Sequence, residues 1–111
     1  MARKLEYKLS KGLKEQILNA MDDTSLLFKG EIILKGTNLL RGEYGECSIL
    51  IQGFAYRSDI FSNKVEFVIY DGCLPTGGSD SITVAVNRNL ELDQTIRLIV
   101  LSIANHEYYE I

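Results

Sequence analysis

At 111 residues the chain is about one domain long, 46% hydrophobic and 24% charged, with a formal charge of −3. A chain of this size buries roughly two-thirds of its surface on folding, so it can hold a core without disulfides or metal. One Pro against nine Gly, with six Tyr and four Phe, excludes collagen-like, low-complexity and wholly disordered classes and points to a single sheet-containing domain over residues 1–111.

The amino terminus is polar almost from its start, and no apolar run follows that would serve as a signal-peptide core, which argues against export and for a cytoplasmic protein. Residues 1–16 hold five basic side chains (Arg3, Lys4, Lys8, Lys11, Lys14) against Glu6 and Glu15, while the remainder holds seven basic against thirteen acidic. Nucleic-acid binders usually carry a basic domain with interleaved Arg or aromatics; this acidic chain argues against nucleic acid as a partner. The first predicted element is a helix. Ser10 stands before an apolar stripe of Leu13, Ile17, Leu18 and Met21 and is placed to cap it, and Asp22, Asp23 and Thr24 end it.

From Ser25 the period changes to two. Strand one sets Leu26, Phe28, Ile32 and Leu34 against Leu27, Lys29, Glu31, Ile33 and Lys35. Residues 36–45, with Gly36, Gly42 and Gly45, read as a turn-rich connection. Strand two runs from about Glu46 to Tyr56, with Gly53 read as marking a bulge. Strand three covers Lys64 to Tyr70, and Asp71-Gly72 ends it. After the loop 71–80, strand four alternates Ile82, Val84 and Val86 with Thr83 and Ala85. In the last third, Asp93 is a reasonable cap and Leu92, Ile96, Ile99, Val100 and Ile103 share a helical face. The same stretch is rich in β-branched residues, but its length favours a helix over a buried strand.

The order predicts an α+β two-layer sandwich: a mainly antiparallel four-stranded sheet with the N-terminal and C-terminal helices on one face. The inward face is almost purely aliphatic and aromatic. The outward face mixes Lys29, Glu31, Lys35, Gln52, Glu66 and Thr83 with Leu27, Ile33, Leu50, Phe54, Tyr56, Val68 and Tyr70. An antiparallel sheet wet on one side normally shows a mostly polar surface there. Either the alternating Leu5, Tyr7 and Leu9 or the carboxy-terminal segment covers this face within the chain, or it meets another protein or a second copy. In the second case the expected partner-binding residues are Leu50, Phe54, Tyr56, Val68 and Tyr70, since rigid aromatics dominate interface energetics.

Motifs for chemistry are sparse. His106 is the only histidine, and His106-Glu107 lacks the second histidine of a zinc-protease helix because Glu110 stands there, so no metal site is expected. Cys47 and Cys73 have no CxxC spacing and read as free thiols; nucleophilic catalysis would need Cys73, at a strand end, or a Ser beside a base, and no sequence signature supports either. Asp71, Thr76, Gly77, Gly78 and Ser79 form a loop whose amides could cradle a phosphate, the alternative reading being a small-ligand or nucleotide site there. It lacks the Lys-Ser/Thr of a P-loop. The longest apolar-rich stretch, 96–104, is about half of what a bilayer requires, so no membrane span is expected. No cofactor is implied. The expectation is a non-enzymatic, adaptor- or inhibitor-like binding domain that self-associates as a homo-oligomer or caps another protein through its outward sheet face.

Overall fold

The computed structural model describes residues 4–23, 26–57, 63–71 and 81–111. The element order is β1 (Glu6–Leu9), α1 (Leu13–Asp22), β2 (Leu27–Asn38), β3 (Glu43–Tyr56), β4 (Lys64–Asp71), β5 (Ser81–Asn87) and α2 (Leu92–His106). All neighbouring strands are antiparallel, in the order β1-β2-β3-β4-β5. The fold is therefore α+β, as the periodicity predicts, with five strands rather than four. The additional strand, β1, is four residues long and pairs Leu9 with Ile32 and Glu6 with Lys35. Its alternation alone does not distinguish an edge strand from a segment lying across the sheet, and pairing with β2 decides the matter.

The predicted inward registers are occupied as expected except at Leu26, with Cys47 and Ile82 only partly buried. Phe28, Ile32 and Leu34 of β2, Ile49, Ile51 and Ala55 of β3, Val65, Phe67 and Ile69 of β4, and Val84 and Val86 of β5 are buried with the apolar sides of both helices in one core. Removing such a side chain from water is worth about 1.5–3 kcal/mol. Phe28 and Phe67 meet edge-on, centroids 6.0 Å apart, although β3 lies between their strands. They reach each other because β3 offers only Gly53 and Ala55 beneath them: Gly53 stands opposite both Phe28 and Ile69, and Ala55 opposite Phe67. Gly53 is thus not a bulge. It holds regular register, and its missing side chain is the space the Phe28 ring fills.

The connection expected over 36–45 is mostly strand. Gly36 pairs with Gly45 and Thr37 with Tyr44, leaving only residues 39–42 at the tip. Gly36 serves packing rather than turning, since a Cβ there would stand 3.0 Å from the Leu5 side chain and 3.5 Å from the Tyr109 ring. Asn38 Oδ1 accepts the Leu40 and Arg41 amides, and Gly42 (φ 68°) closes the tip by donating to the Asn38 carbonyl. At about 3.3 Å per residue, the 14-residue β3 accounts for the 43 Å length of the molecule.

Both helices form where expected, with different caps. Ser10 does not cap α1: its hydroxyl accepts the Glu31 amide and its own amide donates to the Glu31 carbonyl, prolonging the β1–β2 ladder by one residue. Gly12 (φ 85°) then turns the chain into α1, whose buried stripe is Leu13, Ile17, Ala20 and Met21, while Leu18 is exposed. Leu26, expected to face inward, is also exposed. α2 begins one residue before Asp93, at a capping box in which Glu91 and Gln94 satisfy each other's backbone amides. Asp93 instead sits in the first turn and pairs with Lys14 of α1 at 2.6 Å.

Candidate functional site

Neither chain end covers the outward sheet face. β1 continues the sheet sideways and adds Glu6 and Lys8 to that face rather than a lid. The carboxy-terminal segment pairs sideways with the end of β2 in an antiparallel bridge of Tyr109 with Asn38: Glu110 N–H donates to the Thr37 carbonyl, Leu39 N–H to the Tyr108 carbonyl and the Asn38 side-chain amide to the Glu107 carbonyl, and the Tyr109 side chain is buried in the core. Among the described residues the outward face is open.

Its apolar members lie in cross-strand rows. Leu27, Phe54, Val68 and Thr83 stand side by side on β2, β3, β4 and β5. The next row is Tyr56, Glu66 and Ala85; on the other side lie Lys29, Gln52, Tyr70 and Ser81. Directly opposed residues on one face stand about 5 Å apart. Leu27, Phe54, Tyr56 and Val68 therefore form one patch, with Tyr70 at its border. Phe54 and Tyr56 have ring centroids 6.4 Å apart. Leu50, also expected at this site, is separated from Phe54 by Gln52 and stands opposite Glu31. Leu27, absent from the expected anchors, is the most exposed of the group at 64%, against 50% for Leu50 and 36% for Tyr70. The signal for Leu27 was its register, which its place at the strand's first residue made easy to discount.

The polar members balance. Glu6, Glu31, Glu46 and Glu66 share the face with Lys8, Lys29, Lys35 and Lys64, so among the described residues the face is neutral while the whole chain carries −3. Glu6, Lys35 and Glu46 form one alternating row. The Ser48 hydroxyl donates to the Glu31 carboxylate. The Tyr56 hydroxyl donates to the Glu66 carboxylate, and this bond, with partial burial and the repulsion a phenolate would feel there, raises the Tyr56 pKa. The bond also ties the ring's tip to Glu66 of β4.

The other expected sites come out differently. Thr76, Gly77, Gly78 and Ser79 of the ligand loop, and Cys73, lie outside the described residues; of Asp71 the structure gives the backbone, the last residue of β4. His106 ends α2, and among the described residues no three metal-ligating side chains come together. The basic residues near the amino terminus disperse, Lys8 to the sheet face and Lys14 to Asp93. Sequence reading missed a cleft of 210 Å³ between the β2–β3 tip and the tail, where Arg41, Cys47 and Tyr109 meet. Burial first, then the Cys47 thiol, push the Tyr109 pKa up, against the opposing pull of Arg41. Cys47 is a free thiol.

No protein-family model matches the chain, and neither a curated protein nor a solved structure is similar to it at a significant level.

Proposed function

We propose that this chain is a non-catalytic binding module that self-associates through the outward face of its sheet, the helices closing the other side as the second layer of a two-layer sandwich. The observation that carries this reading is one apolar patch made of exposed Leu27 and half-buried Phe54, Tyr56 and Val68, open among the described residues, on a face with four glutamates and four lysines. Exposed apolar surface of this kind is characteristic of contact sites. A neutral surround disfavours a polyanion or a charged lipid surface, and it favours a partner that is apolar at its centre and of mixed charge around it. A second copy of the face meets that specification, since two-fold pairing is reciprocal and a face of mixed charge can oppose glutamates to lysines across it. The Tyr56–Glu66 bond supports the reading further, because an anchor already held in place loses less freedom on docking. A free Cys47 fits a reducing, cytoplasmic setting.

The test is solution mass. Wild-type protein should run as a dimer of the 12.5 kDa chain, and Phe54→Ser combined with Tyr56→Lys should run as a monomer that melts within a few degrees of it. Lysine is chosen at 56 because a carboxylate there would oppose Glu66 within the monomer. A monomeric wild type, or a double variant that remains dimeric, rejects the proposal.

A further inference from the structure

The two edges of the sheet are finished differently. β1 is short, and its four residues include Glu6 and Lys8, the charged side chains that keep a strand edge from pairing. β5 runs seven residues, Ser-Ile-Thr-Val-Ala-Val-Asn, with no charge and no proline. It pairs with β4 on one side only, from Ser81 opposite Tyr70 to Asn87 opposite Lys64. Among the described residues nothing pairs with its other side: the neighbouring backbone bonds of Arg88 to Asn63 and Leu90 to Asn87 lie beyond the strand's end. Alternate residues of β5 therefore turn an amide and a carbonyl outward. The edge is also firmly held, because Val84 and Val86 are buried in the core with α2.

From these observations we infer that β5 is a strand-addition site for an extended segment of a partner polypeptide. A row of outward backbone groups at strand spacing is complementary to another extended backbone, which satisfies them one for one. Side chains set the preference. On the outward face the added strand continues the row Leu27–Phe54–Val68–Thr83 and the row Tyr56–Glu66–Ala85, so a β-branched or aromatic residue beside Thr83 or Ala85 gains contact there. The preferred segment is uncharged, alternating and β-branched. Face-to-face pairing of two copies leaves both β5 edges free, so this inference stands independently of the proposed dimer; where both hold, one dimer presents two such edges.

The probe is a peptide of residues 81–87, whose alternation matches these rows, applied to the full chain. Amide hydrogen exchange is read residue by residue. In the free protein alternate amides of β5 should exchange fast, and the peptide should slow that alternate set while leaving β1 unchanged. Two versions of the peptide, N-methylated at odd or at even residues, separate backbone pairing from unspecific apolar adhesion: one parity should bind as the parent does and the other should lose binding. The Phe54→Ser, Tyr56→Lys variant should bind the parent peptide, whatever its own solution mass. Uniformly slow β5 amides in the free protein would mean that the chain covers this edge itself, and would overturn the inference. So would equal behaviour of the two N-methylated peptides, or no protection at saturating parent peptide.

Discussion

Gly53 shows how far one missing side chain shapes this molecule. A Cβ built there would stand 2.5 Å from the Val68 carbonyl oxygen and 2.7 Å from the Phe28 ring, and the first of these is backbone of the adjacent strand. Alanine ordinarily strengthens a strand relative to glycine by about 0.5–1 kcal/mol. Here the overlap reverses the sign, because separating β3 from β4 or displacing Phe28 costs about 1–3 kcal/mol. Gly53→Ala should therefore lower the urea midpoint without changing the slope, and an unchanged or higher midpoint would refute the packing account. Tyr109 makes a second case, in the alkaline range. Its pKa is raised above the ordinary 10.0, chiefly by burial and then by Cys47, so the folded state prefers the neutral phenol more than the unfolded chain does. That preference contributes fully below pH 10 and is lost as pH rises through the raised value. The stability difference between wild type and Tyr109→Phe should be flat at neutral pH and then move against the wild type above pH 10. Denaturation curves collected across that range check it, and a constant difference would contradict it.

Regular elements were legible wherever the sequence period was long enough to exclude the alternatives. The inward sets of β2 to β5 and the apolar stripes of α1 and α2 follow directly from residues such as Phe28, Ile32, Phe67, Ile99 and Ile103, because one buried face imposes period two or 3.6. Legibility failed at the ends. β1 has only four residues, too few for alternation to specify what they pair with. Ser10 carries the chemistry of a helix cap, yet Glu31 of β2 offers it both a donor and an acceptor, and that long-range pairing is invisible locally. Gly36 and Gly45 read as turn residues because glycine turns chains; in this fold they face each other within a ladder, where Gly36 makes room for Leu5 and Tyr109. The candidate site divides in the same way. Alternation placed Phe54, Tyr56, Val68 and Tyr70 on the outward face, but which of them form one patch depends on register between strands: that register gathers Leu27 in and leaves Leu50 apart. That β5 is the last strand of the sheet could not be read at all, since an edge is defined by strand order.

Charge distribution over the molecule yields a signature that separates the proposed dimer from an electrostatic association. Among the described residues the outward face is neutral, although the chain as a whole carries −3. Two copies meeting face to face bring together alternating signs at short range and like net charge at longer range. Salt screens both, with a Debye length of about 8 Å at physiological ionic strength, and acts more strongly on the longer-range repulsion. Apolar burial at Leu27, Phe54, Tyr56 and Val68, which added salt does not weaken, supplies the main driving force. The dimer dissociation constant should consequently stay level or fall slightly as salt is raised from low to above physiological levels. Any change should remain under about tenfold, or ~1.4 kcal/mol. Sedimentation equilibrium at several salt concentrations measures this. A dissociation constant that climbs steeply with salt would show that opposite charges hold the copies together, and a surface other than this neutral face would then have to provide them.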